Sequence, residues 1–172
     1  MKAILLSLIL FSLVTLRAQD VFEAARKGDM KTLESLCGST PDILNASNDE
    51  GYTPLMLAAY YGHENMISYL VKGGAIIDGK SKYGTPIMAA TVKNNETIVD
   101  VLIAHGADPN IQDANGKTAL LYCSTFGLNS IAEKLLIAGA NPNLKDKAGN
   151  RALDYAILRQ NVTLIKLLNQ YQ

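Results

Sequence analysis

Few residues in this 172-residue chain are placed to do chemistry. Its two histidines, His63 and His105, have no partner at a metal-ligand spacing such as His-x-x-x-His and no neighbouring cysteine pair. The two cysteines, Cys37 and Cys123, are far from each other in sequence. No glycine-rich phosphate loop, serine nucleophile elbow, Cys-His dyad or carboxylate pair with an evident partner occurs. A non-enzymatic chain is therefore expected, with no catalytic, metal or cofactor site. It does carry eight tyrosines. Aromatic side chains at exposed positions are among the types most enriched where one protein grips another.

The elements that must position those tyrosines appear as a repeat. One phrase returns as Gly51-Tyr52-Thr53-Pro54-Leu55, Gly84-Thr85-Pro86-Ile87, Gly116-Lys117-Thr118-Ala119-Leu120 and Gly149-Asn150-Arg151-Ala152-Leu153, at glycine spacings of 33, 32 and 33. A second phrase closes the units in the same register: Gly74-Ala75, Gly106-Ala107-Asp108-Pro109-Asn110 and Gly139-Ala140-Asn141-Pro142-Asn143.

These phrases resemble the ankyrin repeat, whose period is 33 and whose Thr-Pro-Leu-His-x-Ala signature opens the first of two helices. The resemblance implies an all-α solenoid of about five helix-turn-helix repeats with β-hairpin-like finger loops. The repeats divide the chain at about 19–47, 48–80, 81–112, 113–145 and 146–172. Thr53 and Thr85 suit the N-cap position, and Pro54 and Pro86 the first helical turn, where a missing N–H costs nothing. Gly28, Gly62 and Gly127 suit the tight turn between the helices. Met66, Ile67, Leu70 and Val71 recur at helical spacing, as do Ile98, Val101, Leu102 and Ile103, and then Ile131, Leu135, Leu136 and Ile137. They predict a buried stripe that one repeat cannot cover alone but a stack can. The signature histidine is replaced by Met56, Met88, Leu121 and Asp154, so its hydrogen bond must be supplied another way. The third repeat lacks one residue before Thr85, which predicts an altered finger. The polar residues Asn161, Thr163, Lys166, Asn169 and Gln170 suggest a solvent-facing cap in the last repeat. Gly62-His63 stands where the resemblance places a structural Gly-His, which assigns His63 to packing. Cys37 and Cys123, three repeats apart at helix-packing distances of about 8–10 Å, are too distant for a disulfide and are expected as free, buried thiols.

Ahead of the repeats, Lys2 supplies a positive start, Ala3 to Leu16 is weakly polar to apolar, and Leu16-Arg17-Ala18 precedes a charged chain. This is the layout of a secretory signal peptide over residues 1–18, with cleavage after Ala18. A periplasmic or secreted location follows, with no membrane attachment after cleavage. The resemblance extends to exported bacterial members of the family. Asn45-Ala46-Ser47, Asn95-Glu96-Thr97 and Asn161-Val162-Thr163 fit the N-glycosylation pattern and are read as chance matches.

Sixteen basic and sixteen acidic residues cancel, so no long-range field draws the chain to nucleic acid. The resemblance instead implies a protein partner gripped by a concave face of finger loops and first helices, on a protein that is monomeric when unbound. Transferred residue by residue, that face holds Arg26, Lys27, Glu50, Tyr52, Tyr60, Tyr61, Tyr83, Lys93, Phe126 and Arg159, together with Asp49, Lys82, Val92, Asn115, Lys117, Thr125 and Leu158, and with Tyr52, Tyr60, Tyr61 and Tyr83 at its centre. The expected partner is an envelope or secreted enzyme such as a cell-wall hydrolase, inhibited or protected against by the bound chain. The alternative is an accessory factor for a catalase-type haem enzyme in oxidative-stress defence.

Overall fold

The computed structural model describes residues 20–39 and 41–171. The signal segment and its cleavage site lie outside them. The helices form five pairs. Residues 20–27 (α1) precede α2 (Met30–Ser39), followed by a short 3-10 helix, Pro41–Asn45. Then come α3 (Pro54–Tyr61) with α4 (Glu64–Lys72), α5 (Pro86–Val92) with α6 (Glu96–Ala104), α7 (Ala119–Phe126) with α8 (Asn129–Ile137), and α9 (Ala152–Leu158) with α10 (Val162–Asn169).

First helices α3, α5, α7 and α9 pack in series, and second helices α4, α6, α8 and α10 pack in a parallel series. One apolar cluster runs unbroken from Val21 to Leu168. Small residues make the close approach possible: Ala25, Ala59, Ala90 and Cys123 are fully buried along the first-helix series. The second helices contribute Met66, Ile67 and Leu70, then Ile98 and Leu102, then Ile131, Leu135 and Leu136. Val71, Val101 and Ile103 sit half-buried at the stripe's edge, and Ile137, expected within it, is exposed. Ile137 ends α8 and stands in register with Lys72 and Ala104, which are also exposed, so it belongs to the solvent face of the second helices.

Local chemistry sets the helix boundaries. Thr53 Oγ1 accepts from Met56 N and Thr118 Oγ1 from Leu121 N, each satisfying one free donor of the first turn. Thr85 departs from that expectation. Its hydroxyl makes no capping bond and is buried without a partner. The cause is the missing residue: the third finger closes as a tight Ser81–Gly84 bridge, and Met88 Sδ occupies the space a Cβ at Gly84 would need. The helix start is therefore packed differently from its neighbours. In the last repeat Arg151 gives no side-chain cap, and Asp154 Oδ2 accepts from Arg151 N at 2.7 Å, the reciprocal half of a capping box.

The turn between helices requires a left-handed residue. Gly62 and Gly127 meet it with φ of 83° and 76°, while Asn94 (53°) and Gln160 (56°) take the same place in the third and fifth repeats.

The last repeat is not a wholly polar cap. Ile157, Leu158 and Val162 are exposed, and Ile157 occupies the register position at which Ala59, Thr91 and Ser124 are completely buried by the following repeat.

Candidate protein-binding groove

Each finger loop is folded by one side chain at its base. Asn48 Oδ1 accepts from Glu50 N (3.1 Å) and Tyr52 N (2.9 Å). Asp113 Oδ1 accepts from Asn115 N and Lys117 N, and Asp146 Oδ1 from Ala148 N and Asn150 N. Ser81, whose hydroxyl accepts from Tyr83 N at 3.0 Å, does the same work in the shortened third finger. The second oxygen of each aspartate is also used. Tyr122 Oη donates to Asp113 Oδ2 and Tyr155 Oη to Asp146 Oδ2, each at 2.6 Å, tying the finger to the first helix of its own repeat. These pairs supply a clamp that the missing signature histidine cannot. The regular offset of nine residues from aspartate to tyrosine, repeated at 113/122 and 146/155, was the signal for them in the sequence.

The clamps have electrostatic consequences. Burial and the Asp113 carboxylate push the Tyr122 phenol far above its ordinary value. The hydrogen bond to Asp146 raises Tyr155. Burial acts to raise Asp146, but the Tyr155 hydroxyl and the finger N–H groups outweigh it, and the carboxyl titrates below its usual range.

With the fingers fixed, the expected contact residues can be located. Arg26, Glu50, Tyr52, Tyr60 and Tyr61 line one trough of about 240 Å³, floored by Met56, Leu57 and Ala89. Tyr83 extends its wall by stacking on Tyr52 at 5.4 Å between centroids, and Tyr60 and Tyr61 meet edge to face at 5.2 Å. Lys93 places its ammonium 4.8 Å from the Tyr60 ring centroid, bringing it to the same trough. Tyr60, Tyr61 and Tyr83 are 40, 50 and 52% exposed, a high value for large rings in a packed array. Lys27 is paired with Glu23 at 3.0 Å and does not line the trough. Phe126 stacks on Tyr122 instead, and Arg159 is exposed in the last repeat, so neither joins the trough.

Lys117, a finger residue expected on this face, lies between two rings, 4.6 Å from the Tyr155 centroid and 5.6 Å from that of Tyr122.

The other candidate groups are engaged in structure. His63 Nε2 bonds the Arg26 carbonyl at 2.9 Å, and its ring fills the space beside Gly28. His105 Nδ1 bonds the Val101 carbonyl at 2.8 Å. Both cysteines are buried and unbridged. Burial pushes both thiols up, Cys123 the more strongly. The three glycosylation-pattern asparagines are also committed: Asn45 bridges Gly74 O and Ile76 N, Asn95 caps α6, and Asn161 caps α10 while donating to Asn129. Among the described residues no group of three or more His, Cys, Asp or Glu is placed to hold a metal ion, and no helix is long and apolar enough to cross a membrane.

Comparison with known proteins agrees with this architecture. A family model described as ankyrin repeats (3 copies) matches residues 21–113 and 93–172. The chain is 37% identical over 105 residues to the ankyrin repeat and SAM domain-containing protein 6 of Mus musculus, covering 60% of this chain and 12% of that protein. It is 34% identical over 112 residues to the palmitoyltransferase akr1 of Neurospora crassa, covering 64% and 15%. It is 29% identical over 103 residues to the ankyrin repeat and SOCS box protein 11 of Mus musculus, covering 60% and 32%. The chain thus spans less than a third of each relative's length. Repeats of this type are generally non-catalytic and serve as protein-protein interaction modules. The repeat phrase, the five stacked helix pairs and the family match together identify this chain as a member of the ankyrin-repeat family.

Proposed function

We propose that this chain works outside the cytoplasm, periplasmic or secreted, and binds an envelope or secreted enzyme through the trough between its fingers and first helices. A cell-wall hydrolase is the kind of partner envisaged, with the bound chain covering its active-site cleft and inhibiting it. The observation that carries the reading is the trough itself, where Tyr52, Tyr60, Tyr61, Arg26 and Glu50 converge. Packing does not require such large rings at exposed positions. A Tyr-Arg cluster beside a buried apolar floor has the composition of an interaction hot spot. The export half of the reading rests on the positive, apolar and small-residue order of residues 1–18.

Two measurements test it. N-terminal sequencing of the exported protein should begin at Gln19. Capture from the envelope fraction with wild type and with Tyr60→Ala plus Tyr61→Ala should yield a partner that the double variant loses, and identical partner sets would count against the groove.

A further inference from the structure

Three lysines on the groove side share one arrangement. Lys82 lies 4.8 Å from the Tyr83 ring centroid, Lys93 4.8 Å from that of Tyr60, and Lys117 between Tyr122 and Tyr155. A ring face holds a cation in place and leaves N–H donors over: Lys117 Nζ spends one on Thr125 Oγ1 at 3.4 Å and Lys82 one on Tyr83, and each ammonium keeps further donors for an anion. Among the described residues none of the three forms a salt bridge, whereas Arg26, Lys27, Lys134 and Arg151 all do. Glu50 acts on Lys82 from beyond ion-pair distance, and two other nearby acids are occupied. Asp113 and Asp146 are buried, with one oxygen on the finger amides and the other on a tyrosine hydroxyl.

The groove therefore presents positioned, unpaired cations around a trough with an apolar floor. We infer that its occupant is an extended acidic peptide segment, with carboxylates opposite Lys82, Lys93 and Lys117 and an apolar side chain in the trough. This rests on the groove being the binding face, as proposed above, and adds the chemistry of what it binds. Single-stranded nucleic acid would also meet cations and stacking rings. The groove disfavours it, because Glu50 lines the trough and Asp49 is exposed beside it. A peptide can place an uncharged residue opposite Glu50, while a phosphate backbone carries a charge at every step.

The test uses the mature chain and a short dye-labelled peptide repeating Glu-Glu-Leu, read by fluorescence polarisation. Controls are the Gln-Gln-Leu peptide and oligothymidylate. The Glu peptide should bind, weaken as salt is raised, and lose about fivefold in affinity, about 1 kcal/mol for the pair, for Lys82→Gln plus Lys93→Gln. Equal binding of the Gln peptide, absence of Glu-peptide binding, or tighter binding of oligothymidylate overturns the inference. If the envelope partner is lost by Tyr60→Ala plus Tyr61→Ala but kept by Lys82→Gln plus Lys93→Gln, the groove stands and its acidic preference falls.

Discussion

The Tyr122 hydroxyl sits 2.6 Å from Asp113 Oδ2, and the other oxygen of that carboxylate holds the amides of Asn115 and Lys117. One side chain thereby folds a finger loop and fastens it to the helix beneath. Tyr155 and Asp146 repeat the arrangement a repeat later. Removing either phenol leaves a buried carboxylate oxygen without its donor. Tyr122→Phe and Tyr155→Phe should each cost roughly 1–2 kcal/mol in urea unfolding while keeping the helical circular dichroism of the wild type.

The same pairs set the response to pH. Asp146 titrates below its ordinary range, so its contribution is present above the unfolded carboxylate pKa and is lost as pH falls through the lowered folded value. Tyr122 and Tyr155 titrate above theirs, so their contribution is present below the unfolded phenol pKa and is lost as pH rises through the raised folded values. Stability by chemical denaturation should be flat between about pH 5 and pH 9 and fall on both sides. Tyr155→Phe should shallow the alkaline limb and Asp146→Asn the acid one.

The N-cap threonines should respond oppositely to one substitution. Thr118 caps α7, and Thr118→Val should destabilise by about 1 kcal/mol. Thr85 buries an unpartnered hydroxyl, so Thr85→Val removes a cost and should be neutral or stabilising in the same assay.

A ladder of side chains joins successive repeats. Asn45 and Asn110 each donate to a glycine carbonyl of the next repeat and accept a backbone N–H from it. Asp78, in the equivalent place, accepts from Asp108 N but has no proton to give when ionised, and burial raises its pKa. Asp78→Asn should supply the absent donor and stabilise by about 0.5–1 kcal/mol, seen as a higher urea midpoint at unchanged slope.

The sequence made the helices legible because their determinants are local and periodic. Thr53, Pro54 and the stripe through Ile67 and Leu70 act within a turn or two of themselves. The trough residues were legible for the same reason, since Tyr60 and Tyr61 stand at fixed offsets from Thr53. The failed cap at Thr85 was not, because it depends on how a deleted residue lets Met88 close over Gly84. Exposed Ile157 in α9 was not legible, because the polar residues of the last repeat suggest a solvent-facing cap, while exposure is set by what stacks next. Lys117 was visible as a finger residue, but its place between two rings arises only when adjacent repeats stack.

Among the described residues, the hydrogen bond from Asp108 N to Asp78 is the one that crosses from the second repeat to the third. The Tyr52–Tyr83 stack and the Lys93–Tyr60 contact reinforce that joint from the groove side. The surface proposed to take a ligand is therefore also the mortar between two blocks of the array. A ligand seated there would act as a splint across the joint, and its grip would register as slowed local opening of α3 and α5 without any change of shape.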